Sequence, residues 1–130
     1  MNRIVLDTSA LLAVLHREPG AEVLTERFGL MDRAVMSAVN LTEAYGKLVG
    51  QGLDSENTWE SVKSLVPEIL SFDEQQAKIA GRMVALTRPM GLSLGDRACL
   101  ALSIVLKAPV YTADRVWKGL KLGVPIHIIR

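Results

Sequence analysis

Short apolar runs alternate along the chain with longer stretches in which apolar residues recur every three or four positions. That alternation predicts strands followed by helices. Ile4-Val5-Leu6 is three apolar residues ending at Asp7, the pattern of a strand buried on both faces. Asp7, Thr8 and Ser9 are all cap formers, and Ala10 to Leu15 supplies a helix after them. Pro19-Gly20 interrupts it, and a short helix is expected from there to about Phe28. Ala34 to Met36 reads as a second strand, and Ser37 caps a helix to about Gly50. Asp54 or Ser55 opens a helix that Pro67 terminates after Val66, and Ile69 to Phe72 reads as a third strand. Asp73 with Gln76 resembles a capping box and starts a helix to about Arg88, before a turn at Pro89 to Gly91. Ser93 then caps the very apolar helix Leu94 to Lys107. A strand at Val110 to Thr112, a short helix from Asp114 to Leu120 and a strand at Ile126 to Ile129 complete the pattern. Strands alternating with helices predict an α/β fold whose central, mainly parallel sheet is covered on both faces. Ligands of such sheets bind outside the carboxyl ends of the strands.

Composition narrows the class. The 130 residues suit one domain, 1–130, large enough to fold without disulfides or a structural metal. A single cysteine excludes an internal disulfide and suits a reducing, cytoplasmic setting. Fifteen basic residues against fourteen acidic ones leave a formal charge of +1, so affinity for a polyanion must come from a local patch. Asp7, Thr8 and Ser9 interrupt the apolar start of the chain and argue against a secretory signal. The longest apolar run, Ala98 to Leu106, is far short of the roughly 20 residues that span a bilayer, so no membrane partner is expected.

Four of the fourteen acids stand in apolar surroundings where strands end and helices begin: Asp7, Glu43, Asp96 and Asp114. Singly, each has an ordinary explanation. Asp7 and Asp114 are good helix caps. Asp96 complements a helix dipole, and Glu43 has Lys47 four residues on, the favourable order for a surface pair. Together they are harder to dismiss, because all four should gather at one end of the sheet. Two unit charges 4 Å apart cost about 4 kcal/mol at an effective dielectric near 20. A hard divalent cation removes that cost. Oxygen donors without a His or Cys cluster favour Mg²⁺, with Mn²⁺ as a substitute. Carboxylate-held Mg²⁺ retains waters, one of which can be aimed at phosphorus, so phosphodiester hydrolysis is the chemistry expected. Asp7 and Asp96 would anchor the cation, Glu43 would orient water or act as general base, and Asp114 would hold a second, weaker ion. Thr8, Ser9, Asn40, Ser93 and Thr112 would orient carboxylates and water. Arg115, Lys118 and Lys121 recur at spacings of three beside Asp114, and Arg97 follows Asp96, which makes Arg97, Arg115 and Lys118 candidates for phosphate contact. Trp117, Tyr45 and Cys99 are read as packing residues, and His16 and His127 receive no role.

The segments carrying these acids resemble a known family. Val5-Leu6-Asp7-Thr8-Ser9-Ala10, Ser37-Ala38-Val39-Asn40-Leu41-Thr42-Glu43, Leu92-Ser93-Leu94-Gly95-Asp96-Arg97-Ala98-Cys99 and Tyr111-Thr112-Ala113-Asp114-Arg115 resemble, in order and spacing, the PIN-domain ribonucleases and among them the VapC toxins of type II toxin–antitoxin modules. The resemblance covers essentially the whole chain. It implies a three-layer α/β/α fold, with Asp7 and Asp96 as direct metal ligands and Glu43 and Asp114 completing an acidic groove. It also implies metal-dependent cleavage of tRNA or rRNA, a homodimer, and a cognate VapB-type antitoxin whose C-terminal segment crosses the groove. A PIN nuclease outside toxin systems, acting in RNA processing, and a module acting only through binding are the alternatives. Haloacid-dehalogenase-like phosphatases need a second Asp where Ser9 stands, and receiver domains need an acidic pair near the first strand that Ile4 to Asp7 lacks.

Overall fold

The computed structural model describes residues 2–130, and Met1 lies outside the described residues. Five strands form one sheet: β1 (Ile4–Leu6), β2 (Ala34–Ser37), β3 (Glu68–Leu70), β4 (Val110–Thr112) and β5 (Ile126–Ile128). Their order is β3-β2-β1-β4-β5 and every pairing is parallel. The helices are α1 (Thr8–His16), α2 (Glu22–Thr25), α3 (Ala38–Gly50), α4 (Ser55–Leu65), α5 (Glu74–Arg82), α6 (Val84–Thr87) and α7 (Leu94–Leu106), with short 3₁₀ turns between some of them.

Alternation along the strands makes the layers. Ile4 and Leu6 of β1, Ala34 and Met36 of β2 and Tyr111 of β4 join one apolar cluster with Leu11 of α1, Leu41, Ala44 and Leu48 of α3, and Val62 of α4. Val5, Val35 and Val110 point the other way and pack with Cys99, Leu100 and Leu102 of α7, Met83 and Trp117. Two cores on opposite sheet faces give the expected α/β/α arrangement. Because β1 is central, both of its faces are covered and all three residues are buried. No helix among the described residues is long and apolar enough to cross a membrane.

Strand order locates the binding edge. The chain steps outward from β1 through β2 to β3, then crosses back to place β4 on the other side of β1. The connections leaving β1 and β4 therefore diverge, and the crevice between their carboxyl ends is the expected ligand position.

Several predicted bounds shift for local reasons. The short helix expected up to Phe28 is a single turn, α2, in which Thr25 bonds its own hydroxyl back to the Ala21 carbonyl at 3.2 Å. The third strand is Glu68–Leu70 rather than Ile69–Phe72, because its pairing partner β2 ends at Ser37, opposite Leu70. The helix expected from Asp73 to Arg88 breaks at Met83, whose carbonyl takes the Thr87 hydroxyl at 2.8 Å, and becomes α5 and α6. Only half of the Asp73–Gln76 box forms. Asp73 accepts the Gln76 amide at 2.9 Å, whereas the Gln76 side chain donates to the Ser71 carbonyl. The helix expected over Asp114 to Leu120 is one 3₁₀ turn, Arg115–Trp117, since Lys118 is extended and Gly119 has φ of +95°. Arg115, Lys118 and Lys121 therefore do not form one helical stripe.

Candidate active site

Four separate stretches of chain deliver Asp7, Glu43, Asp96 and Asp114 into one cavity of about 230 Å³, together with Thr8, Ser9, Lys47 and Ser93. Asp7 stands at the end of β1, in extended backbone that caps α1. Asp114 follows β4 in the same way and caps its 3₁₀ turn, with Oδ1 accepting the Val116 amide at 3.0 Å. Glu43 sits on α3, whose start Ser37 caps by accepting the Val39 amide. Asp96 is the third residue of α7, where it and Ser93 make a reciprocal capping box: Asp96 Oδ2 accepts the Ser93 amide at 2.9 Å, and Ser93 Oγ accepts the Asp96 amide at 3.2 Å.

Neighbouring hydroxyls and amides hold the carboxylates. Asp7 Oδ1 accepts the Ala10 amide at 2.8 Å and the Ser9 hydroxyl at 2.8 Å, and its Oδ2 accepts Thr112 Oγ1 at 2.6 Å. Ser9 also takes the Ala113 amide at 2.9 Å, and Thr112 Oγ1 takes the Asp114 amide at 3.0 Å. The β1 and β4 ends are thus laced together around one buried carboxylate. Glu43 Oε1 accepts Thr8 Oγ1 at 2.7 Å and Asn40 Nδ2 at 3.2 Å, and the same Asn40 amide group reaches the Gly95 carbonyl on α7 at 3.0 Å. Thr8, Ser9, Asn40 and Thr112 therefore touch the carboxylates through side chains, whereas Ser93 meets Asp96 through its backbone amide and uses its hydroxyl as a cap.

Burial marks the electrostatics of the site. Burial pushes the Asp7 carboxyl up to about 6, against the lowering effect of its hydrogen bonds, and the charge of Asp96 adds to the rise. Asp96 is also raised, by burial first and then by the charges of Asp114 and Glu43. The Cys99 thiol beneath the site is driven up by its complete burial, with Asp7, Asp96 and Glu43 contributing. It is inert packing, as the sequence suggested.

The donor chemistry fits a hard divalent cation. Every acidic group is an oxygen donor, and Glu43 Oε2, Asp96 Oδ1 and Asp114 Oδ2 receive no hydrogen bond from the described residues. Both Asp7 oxygens accept hydrogen bonds, and the Ser9 hydroxyl is shared between them at 2.8 and 2.9 Å. Among the described residues, no group of three or more His, Cys, Asp or Glu side chains stands at bonding distance around a single point.

Arg97 donates to the Leu92 carbonyl at 2.9 Å, Arg115 donates to the Arg130 carbonyl at 2.8 Å, and Lys118 is exposed; none of the three lines the cavity. Lys47 does line it. The Glu43–Lys47 surface pair does not form within 4 Å, because Glu43 turns toward Thr8 and Asn40. The i, i+4 spacing signalled Lys47, but only as a partner for Glu43. Trp117 is fully buried, Tyr45 packs edge-on against Trp59 at 5.1 Å, and His127 stacks on Tyr111 at 4.6 Å.

The PIN domain profile matches residues 4–121, most of the chain and all four acidic positions. The chain belongs to the PIN domain family. PIN domains are nucleases and generally use divalent metal ions. This PIN domain is similar in fold to a chain of the DNA-bound VapBC complex of Salmonella typhimurium (21% identity, all of both chains, TM-score 0.75). It also resembles a chain of VapBC-5 from Mycobacterium tuberculosis (25% identity, 100% of this chain and 99% of that one, TM-score 0.66). A third similar structure is FitAcB from Neisseria gonorrhoeae (21% identity, 95% and 96% covered, TM-score 0.68). Among curated proteins nothing matches.

Proposed function

We propose that this PIN domain is a Mg²⁺-dependent endoribonuclease, the toxin of a VapBC-type toxin–antitoxin pair, with Mn²⁺ able to replace Mg²⁺. The observation carrying the reading is the convergence of Asp7, Glu43, Asp96 and Asp114 on one cavity at the β1/β4 edge. When bound, the ion supplies Lewis-acid polarisation of the phosphate and a water acidic enough to lose a proton near neutral pH. Asp7 and Asp96 hold it. Glu43 is anchored through Oε1 by Thr8 and Asn40, which leaves Oε2 to accept the proton of the attacking water. Asp114 carries the remaining free oxygen, on the β4 side, where it would hold a second, weaker ion beside the leaving oxygen. Lys47, the one basic side chain lining the cavity among the described residues, pairs with a substrate phosphate and offsets the repulsion that four acids impose on RNA.

The substrate class assigned is tRNA or rRNA, and the partners are a VapB-type antitoxin and a second copy of the chain. Its fold similarity to chains of VapBC complexes supports the toxin assignment. The test is incubation of purified protein with total RNA in Mg²⁺ or in EDTA. Cleavage present in Mg²⁺, absent in EDTA and lost in Asp7→Ala and Asp96→Ala is the expected result. Undiminished cleavage in both variants overturns the site assignment.

A further inference from the structure

Gly95 is the second residue of α7 and is buried. Glycine is the poorest helix former after proline, and no positive φ calls for it here. What calls for it is space. A Cβ on Gly95 would run into both carboxylate oxygens of Glu43 and lie 2.5 Å from its Cδ. By contrast, a Cβ on Gly46, Gly50 or Gly81, the other helical glycines, would meet nothing within 4 Å. The Glu43 carboxylate thus rests on the bare backbone of α7. It is held there by Thr8 Oγ1 at 2.7 Å and by the Asn40 amide, which bridges Glu43 Oε1 and the Gly95 carbonyl.

We infer that Gly95 is a positioning residue of the active site: its missing side chain is the seat that fixes the Glu43 carboxylate beside Asp96. The inference rests on the nuclease reading for its consequence, though not for its geometry. An alanine at 95 leaves α7 able to form, since the obstacle its Cβ meets is the end of a flexible side chain rather than backbone. Glu43 must then rotate away from Thr8 and Asn40, and the carboxylate meant to take a proton leaves its place.

The experiment compares Gly95→Ala, Glu43→Ala, the double variant and Gly81→Ala as a control on α5. Circular dichroism melting without metal, Mn²⁺ affinity by calorimetry, RNA cleavage and a metal-free crystal structure are the readouts. Gly95→Ala is expected to fold, to lose kcat by about 10–100-fold with KM nearly unchanged, and to weaken Mn²⁺ binding as Glu43→Ala does. In the Glu43→Ala background, adding Gly95→Ala should change nothing further, because the two act through one group. Gly81→Ala should match the parent. Parent-like cleavage by Gly95→Ala, or an equal loss in both backgrounds, overturns the inference. Should Gly95→Ala fail to fold, Glu43→Ala must restore folding by removing the obstacle; if it does not, the inference falls. A parent that cleaves no RNA refutes the nuclease reading instead. The crystal structure of Gly95→Ala then decides the seat alone, and an unmoved Glu43 carboxylate overturns it.

Discussion

The starts of α1 and α5 carry the same local device and end up with different chemistry. Asp7 and Asp73 both stand in extended backbone at a helix N-cap, and each accepts the amide three residues on, at 2.8 and 2.9 Å. Asp73 stays exposed and does nothing more than cap. Asp7 is only 4% exposed, receives Thr112 from 105 residues away, and feels the charge of Asp96. The cap is a property of four residues; the site is a property of the sheet order that brings β4 beside β1. A helix-capping Asp becomes a candidate ligand only where the fold withdraws its water and supplies other acids.

The sharpest way to break this contrast is truncation. Asp7→Ala should lower RNA cleavage by at least about 10³-fold, the scale lost when one member of a catalytic unit is removed, whereas Asp73→Ala should cleave at the parent rate. Thr112→Val tests the long-range half of the difference. It removes the 2.6 Å donor to Asp7 while keeping shape, and denaturant unfolding at neutral pH should show about 1.5–3 kcal/mol lost, the range for hydrogen bonds to charged groups. Next in size is a pH effect. The Asp7 carboxyl titrates near 6 in the folded chain and at 3.8 ordinarily, so the folded state holds the proton more tightly between those values. Its contribution to stability is therefore fully present below about 4 and is lost as pH rises through about 6. Melting in EDTA should fall from pH 5 to pH 7.5, Asp7→Asn should flatten that slope, and Mg²⁺ affinity should climb over the same interval. Smallest is the cap itself: Asp73→Ala should cost about 1 kcal/mol in unfolding measurements.

The same contrast explains how much was legible beforehand. Ile4-Val5-Leu6-Asp7 announces a buried strand and a cap, and Ser93 to Asp96 announces a helix start, because both are written in adjacent residues. The gathering of the four acids was legible too, since parallel strands put every strand end on one edge. The third strand was displaced because its length is set by where β2 stops, which Glu68 to Phe72 do not record. The helix beyond Asp114 was overextended because Gly119 adopts a positive φ that ends it after one turn, a conformation the surrounding residues do not announce. Lys47 was assigned to Glu43 by helical periodicity, which is blind to the Thr8 hydroxyl arriving from α1. Gly95 carried no sequence signal of its role, as the obstruction it avoids lies on another helix.

The lacing of Asp7 to Thr112 also sets an order of events during synthesis. The central strand β1 precedes its neighbour β4 by the whole stretch from Val5 to its partner Val110. Such distant parallel pairing closes late. A nascent chain that has not yet delivered β4 lacks the donor that orients Asp7, and it lacks Asp114 altogether. The acidic cavity is therefore complete only once β4 has been made and paired with β1.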